Sequence, residues 1–529
     1  MLNTATATRG MVVAPHHLAA VAGLTVLREG GNAIEAMIAA AAAIAVVYPH
    51  MNAIGGDGFW LIHVPGRDPV AIQACGAAAG AADAALYRDN GHDAIPARGG
   101  LAANTVAGTI GGWAAALELA RELDGDMPLE RLFEEAVYHG ENGVAVSASQ
   151  HQLTTLKLGE LAPAPGFADA FLVGRAPPEE GHLLKQPRLA ATLRDLAANG
   201  LDGFYRGALA RRIAADLARA GSPVSAADLE RYAAQRVKPL SVDLRSGTVF
   251  NLPPPTQGLS SLMILAIFDR LGVGQSDGFD HVHGLVEATK QAFLVRDREI
   301  AYPAVMSSDP AGFLDAGWLD NATSAIDPQT ALAWPQHTSN GDTIWMGAID
   351  GTGCAVSFIQ SIYWEFGAGV VLEDTGILWQ NRGASFSLAP GARNALAPGR
   401  LPFHTLNPAL ARLGDGRVMV YGTMGGDGQP QTQAQIYSRH VMFGQRLQTA
   451  ITAPRWLLGR TWGDHSTTLK LESRFDTKLV EQLAAAGHNV EMLGPFDDQM
   501  GHAGAIVRDA RGVLSGAGDP RSDGGAHGF

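Results

Sequence analysis

Thr343 opens a run of alternating residues, Ile344-Trp345-Met346-Gly347-Ala348-Ile349, that reads as a β-strand. The segment ahead of it, Trp334 to Asn340, carries Pro, Ser and Asn and reads as a loop. In an intact chain such a threonine is ordinary. A cut between Asp342 and Thr343 would give it a hydroxyl and a free α-amine on one residue, a nucleophile that carries its own base. That amine, with a pKa of about 8 when unperturbed, could take the hydroxyl proton directly or through water. A second candidate is Gly422-Thr423-Met424-Gly425-Gly426-Asp427-Gly428, which follows a strand (Val418 to Tyr421) and precedes a helix. Its backbone N–H groups could cradle an anion or stabilise an oxyanion, or the glycines could serve only a tight turn.

Other chemistries find little support. Gly55-Gly56-Asp57-Gly58 precedes a strand instead of following one, and GxxxxGK[ST] does not occur, which argues against nucleotide binding. The histidines, His16-His17, His63, His281, His283, His404 and His440 among them, show no HExxH spacing, so no metal is expected. GxSxG is missing; Ser260-Ser261 lies in Gly258-Leu259-Ser260-Ser261-Leu262. A net charge of −13 and the lack of a Lys/Arg-rich run argue against nucleic acid. Two cysteines, Cys75 and Cys354, form no disulfide framework and suit a reducing compartment. The longest apolar run, Ala36 to Tyr48, is 13 residues, too short to span a bilayer. With no secretory signal at the N-terminus, the expectation is a soluble cytoplasmic protein that needs no cofactor.

These residues must be positioned by a mixed set of elements. Helices are expected from His16 to Glu29, from an Asn32 cap to Tyr48, from Gly111 to Leu123 and from Leu129 to Asn142. Further helices are expected from Ser260 to Leu271, Asp280 to Arg298, and over about 430–445 and 475–487. Strands are expected over Phe59 to Val64, Val70 to Ala74 and Leu240 to Asn251, then 343–349, 353–360, 375–379, 408–413, 417–422, 503–508 and 513–516. Elements come in blocks without strict alternation, which predicts an α+β layered sandwich and one interwoven unit.

Four separated motifs resemble the gamma-glutamyltranspeptidase family. Leu27-Arg28-Glu29-Gly30-Gly31-Asn32-Ala33-Ile34-Glu35-Ala36 with Gly55-Gly56-Asp57-Gly58-Phe59 is similar to its "EGGNAxDA…GGGGF". Pro253-Pro254-Pro255-Thr256-Gln257-Gly258 resembles "PPPSSGG", Gly422-Thr423-Met424-Gly425-Gly426 resembles "GSPGG", and Gly518-Asp519-Pro520-Arg521 resembles "SDPR". The resemblance covers nearly the whole chain. It implies a four-layer αββα sandwich of the N-terminal nucleophile hydrolase type. It also implies self-cleavage into a large subunit (1–342) and a small subunit (343–529), and leaves a homodimer of that pair open. Asp350 matches the aspartate of "TTHxSVVD", which places the processing threonine at Thr343. Gly425 and Gly426 match the oxyanion-hole pair, and Ser361 falls where the family has a threonine that supports the nucleophile.

Substrate recognition departs from the family. Its carboxylate-binding arginine is missing from Ala81-Ala82-Asp83-Ala84-Ala85-Leu86-Tyr87, and "NNQMDDF", whose acidic pair holds the substrate amine, is here Gln380-Asn381-Arg382-Gly383-Ala384-Ser385-Phe386, with both acids gone. The serine pair becomes His404-Thr405, an asparagine becomes Tyr363, and Trp345 stands where the family has histidine. The lid between Phe386 and Pro402 is short. The loss of amine-binding acids and the gain of Arg382, the natural bidentate partner of a carboxylate, suit a small carboxylate-bearing amide. The chain resembles the branch that hydrolyses oxamate to oxalate and ammonia in purine-ring catabolism. Arg382, His404, Thr405, Tyr363, Asn381 and Trp345 are the expected substrate contacts. γ-Glutamyl hydrolysis or transfer, a glutaryl or cephalosporin acylase, and an unprocessed silent scaffold remain alternatives, as do structural roles for Arg382 and His404.

Overall fold

The computed structural model describes residues 2–334, 342–459 and 466–529, with Asp342 given by its backbone alone. The loop expected ahead of Thr343 therefore lies, apart from Trp334, outside the described residues.

Alternating apolar residues build two seven-stranded antiparallel sheets stacked face to face. The first runs Gly525–Gly528, Gly10–Ala14, Asp342–Asp350, Ala355–Tyr363, Asp57–His63, Val70–Ala74, Gln235–Val237. The second runs Ala5–Ala7, Leu514–Gly518, Ala503–Arg508, Val418–Thr423, Ala409–Leu413, Gly247–Asn251, Leu240–Leu244. The strands that flank the Thr343 strand come from near residue 10 and residue 360, so the two halves of the chain share one sheet.

Helices cover both outer faces. His17–Arg28, Ala33–Val47 and Thr109–Arg121 pack on the first sheet; Gly258–Leu271 and Gly428–Tyr437 pack on the second, and Phe279–Glu299 packs against these two helices. All fifteen residues of Ala33–Val47 are buried, as its run of small side chains allows. Asn32 caps it with Glu35 in a capping box. Between the sheets, Met11, Val13, Phe59, Leu61, Trp345, Ile349, Ile359, Leu410, Val420 and Ile506 form the inner core. The architecture is the expected four-layer αββα sandwich.

Two element assignments change. Residues 375–379 are not a strand: Leu378 and Trp379 make only single bridges, to Val371 and Gly55. The helix expected to reach 445 stops being α-helical at Tyr437 and continues as a π-turn over Ser438–Met442. The edge strands Ala5–Ala7 and Gly525–Gly528 are additions, too short to show a period in sequence.

Candidate active site

Thr343 lies at a break in strand pairing. Asp342 pairs with Tyr363 and Ile344 with Gln360, so an extra residue is accommodated opposite Thr343. The irregularity turns Ser361 toward Thr343: the Thr343 hydroxyl donates to Ser361 Oγ at 3.3 Å, and Ser361 Oγ accepts the Tyr363 N–H at 2.8 Å. Tyr363 takes a φ of +82°, a conformation few non-glycine residues adopt. The site thus combines a buried hydroxyl nucleophile with a second hydroxyl held by a local backbone bond.

Gly55-Gly56 packs directly behind. A Cβ on Gly56 would stand 2.2 Å from the Ser361 carbonyl oxygen, so only glycine lets the Asp57 strand approach so closely. At the other end of the Thr343 strand Asp350 fixes the hairpin. Its Oδ1 accepts from the N–H groups of Thr352, Gly353 and Cys354, and its Oδ2 accepts the Ala33 N–H at the start of the Ala-rich helix. The aspartate that marks Thr343 by spacing therefore ties its strand to the outer helix layer.

The second sheet supplies the opposite wall. Val418–Thr423 runs into Gly425 (φ +111°) and Gly426 (φ +51°), then into the helix Gly428–Tyr437. Both glycines need backbone freedom that a side chain would deny, and they sit at a helix N-terminus where N–H groups point outward. Gln257, from the Pro-rich loop, donates from Nε2 to the Gly426 and Thr405 carbonyls, both at 2.8 Å, and so fixes the glycine pair against the 404–407 segment. Gln429 reaches the Thr343 hydroxyl from Nε2 at 3.5 Å while its Oε1 accepts from the Asn407 backbone N–H. Neither glutamine was singled out in the sequence. A glutamine between a threonine and a glycine that opens an apolar helix was the available signal for Gln257.

Arg382 begins the 3-10 turn Arg382–Ser385 and is 1% exposed. Its guanidinium lies 3.9 Å from the Tyr363 ring centre, in cation–π contact. Nη1 and Nη2 have no hydrogen-bond partner. Burial lowers its pKa, opposed by Tyr363, Asp57 and Cys75. A buried cation left this way is costly unless something outside the chain pairs with it.

His404 is fully buried, edge-on to Phe59, and its backbone N–H donates to the Pro255 carbonyl at 2.9 Å. Nε2 stands 3.2 Å from Asp57 Oδ2, yet both ring nitrogens and that oxygen lack a well-directed hydrogen bond. Burial and then Arg382 push the His404 pKa well below its ordinary value, so the contact is not an ion pair. Burial raises Asp57 to about 7 against Arg382, Gln380, Gly76 and Gly108. Asp57 is a site residue that sequence reading treated as part of a turn; a carboxylate opening a wholly buried strand was its signal.

Two expected contacts take other roles. Trp345 fills the inner core: its ring stands where a Cβ on Gly422, Gly504 or Gly347 would collide, and Nε1 donates to Ser357 Oγ at 2.9 Å. It supports the nucleophile's strand from between the sheets instead of contacting substrate. Asn381 spends its amide on the backbone, donating to the Ala97 carbonyl and accepting the Trp364 N–H, and so anchors the Arg382 turn. Thr405 is buried with its hydroxyl unpartnered, beside His404.

A cavity of about 310 Å³ lies beyond Cys75, lined also by Gln73, Val106 and Tyr232. It touches none of Thr343, Arg382 or Gly425, so it is not the place of the scissile amide. Among the described residues, His283, Glu287 and His488 bring possible metal-ligand atoms within 4.8 Å of one another. They are already engaged: His283 bonds His488 and the Asp327 carbonyl, and Glu287 accepts from Lys290 Nζ at 2.7 Å. Their present geometry is a polar anchor for residues 327–332.

The gamma-glutamyltranspeptidase family model matches residues 19–529. The oxamate amidohydrolase proenzyme of Klebsiella pneumoniae is 54% identical over 523 residues, 99% of each chain. The glutathione hydrolase-like YwrD proenzyme of Bacillus subtilis is 39% identical, again over 99% of each chain. Among solved structures, cephalosporin acylase from Bacillus halodurans superposes with a TM-score of 0.91 at 32% identity, covering 100% of this chain and 97% of its own. By family model, by relatives matched end to end and by fold, this chain belongs to the gamma-glutamyltranspeptidase family and is an amidohydrolase of the N-terminal nucleophile type.

Proposed function

We propose that the chain cleaves itself between Asp342 and Thr343 and that the new N-terminal threonine hydrolyses a small carboxylate-bearing amide, oxamate to oxalate and ammonia. The single observation that carries the substrate assignment is Arg382: a buried guanidinium with two unpartnered nitrogens, linked through Tyr363 and Ser361 to the Thr343 hydroxyl. A planar carboxylate matches its two nitrogens. The 54% identity to the Klebsiella oxamate amidohydrolase proenzyme supports the same substrate.

In the precursor the Thr343 Oγ attacks the Asp342 carbonyl, and the acyl group moves from nitrogen to oxygen. That shift breaks the peptide C–N bond and frees the α-amine, and water then hydrolyses the ester, releasing the Asp342 carboxylate and restoring the Thr343 hydroxyl. In the mature enzyme Thr343 Oγ attacks the amide carbon while the α-amine takes its proton. The N–H groups of Gly425 and Gly426 stabilise the tetrahedral oxyanion, at about 3 kcal/mol per donor in comparable hydrolases. The amine returns the proton to the leaving ammonia, and water hydrolyses the oxalyl ester. Ser361 and Gln429 hold the hydroxyl in place. A cytoplasmic setting belongs to this reading; two buried, unpaired cysteines support it.

The close fold match to a cephalosporin acylase keeps a larger acyl group as the second reading. A panel of oxamate, a glutaryl amide and a γ-glutamyl nitroanilide, run on protein shown by denaturing gel to be in two pieces, separates them. Ammonia from oxamate is the expected result. Cleavage of the γ-glutamyl or glutaryl substrate alone would overturn the substrate, and one full-length band would overturn the nucleophile.

A further inference from the structure

Beside the carboxylate site lies an acid that the reaction above does not use. Asp57 is directly opposite Ser361 in the neighbouring strand, and the Ser361 hydroxyl meets that of Thr343. Opposed residues of an antiparallel pair project from one face, about 5 Å apart, so Thr343, Ser361 and Asp57 form a row on the inner face of the sheet. One Asp57 oxygen is fixed: Oδ1 accepts from the N–H groups of Gly76 (3.2 Å) and Gly108 (3.0 Å) and from Gln380 Nε2 (3.1 Å). The other, Oδ2, faces His404 Nε2 and has no hydrogen bond, like both His404 nitrogens and both terminal nitrogens of Arg382. Three buried polar groups are left open in one place.

We propose that Asp57 is a specificity-determining residue of this pocket: with His404 it takes up one proton as an anionic ligand docks on Arg382. The inference rests on the reading of Arg382 as the carboxylate site. In the free pocket Arg382 carries one positive charge, Asp57 one negative, and His404 is neutral. A docked carboxylate adds a negative charge. A solvent proton on Asp57 Oδ2 restores neutrality, and the new O–H donates to His404 Nε2, leaving the imidazole proton on Nδ1.

Burial already places Asp57 at about 7, and a nearby anion raises it further. The other titratable neighbours do not supply this proton near neutrality. Burial raises Cys75, Tyr205 and Tyr232 well clear of that range, and Tyr363 lies across Arg382. The Thr343 amine of the mature enzyme is the one further group nearby. Charge then becomes a selection rule. Oxamate brings one negative charge, which the arrangement balances; oxalate brings two, one more than it balances, so the product is held more weakly than the substrate and leaves.

Calorimetry of oxalate binding to the mature enzyme at pH 8, in two buffers of different ionisation heat, counts the proton. About one proton per oxalate is expected for the wild type and none for Asp57→Asn, which keeps the Thr343 amine. The KM for oxamate should rise about tenfold per pH unit above 7 in the wild type only. Infrared difference spectra of the wild type, oxalate-bound minus free, should gain the carbonyl stretch of a protonated carboxylic acid. That reading stands even if Asp57→Asn fails to fold or process. Oxalate binding with no proton uptake and no such band, or equal uptake in Asp57→Asn, overturns the inference and leaves the carboxylate site intact. No oxalate binding at all overturns both.

Discussion

Two of the buried groups of charged side chains in this protein are built in opposite ways. Around the C-terminal Gly518-Asp519-Pro520-Arg521 motif, Arg521 pairs with Glu472 at 2.6 Å and with Asp519 at 3.0 Å, while Arg455 pairs with Asp519 at 2.6 Å. Asp519 also accepts the Ala503 N–H. Asp519, Glu472, Arg455 and Arg521 are all buried and hydrogen-bonded to one another or to backbone. Around Arg382 the charges are equally buried, but Arg382, His404 and one oxygen of Asp57 are unpartnered. The first arrangement spends its charges on the fold. The second keeps them open, and a buried open cation is what a small anionic ligand would complete.

The comparison can be broken by substitution. The largest effect is expected at the nucleophile: Thr343→Ala should leave one uncut band on a denaturing gel and lower amidase activity by at least about 1,000-fold. Arg521→Ala removes the buried cation that Glu472 and Asp519 share, leaving Asp519 with Arg455 and Glu472 with the longer Arg474 contact, and should cost about 3–5 kcal/mol, read as a large drop in the chemical-denaturation midpoint. Arg382→Leu should do the reverse, leaving stability unchanged or raised while kcat/KM for a carboxylate amide falls about 100-fold. A marked loss of stability in Arg382→Leu would mean that Arg382 is structural after all.

The clusters should also answer pH in opposite senses. Burial raises the Asp519 pKa, but Arg455 and Arg521 outweigh it and hold the carboxyl below its ordinary value. Its contribution to stability is therefore present above the unfolded carboxylate range and lost as pH falls. Asp57 is raised, from 3.8 to about 7, so its contribution is present below pH about 4 and lost as pH rises to 7. Thermal melts of Asp57→Asn against wild type should show the variant gaining stability relative to wild type between pH 5 and pH 8; a constant difference contradicts the raised pKa. The smallest effect is expected at Trp345→Phe, which loses the bond to Ser357 and should cost about 1 kcal/mol with activity largely kept.

Much of this was legible in the residues. The Asn32 cap, the buried Ala-rich helix and the alternating strand after Thr343 are local patterns, and each appears where propensity and period place it. The motif order gave the family and the layered fold. What stayed hidden depends on contacts between distant segments. Trp345 alternates onto the same face as Thr343, but only the close approach of Gly422 and Gly504 from the second sheet shows that its ring is enclosed. Asp57 looked like a turn residue because its importance comes from Ser361, Arg382 and His404, all more than 300 positions away. The 375–379 stretch has strand-like residues, yet no neighbouring chain offers it a ladder.

The most direct measurement compares kcat/KM for oxamate with that for oxamide, its uncharged counterpart of equal size, in processed wild type and Arg382→Leu. The account predicts that wild type prefers oxamate and that the substitution removes this preference while activity toward oxamide is retained. An equal loss toward both amides, or no preference in the wild type, would contradict the assignment of Arg382 as the partner of the substrate carboxylate.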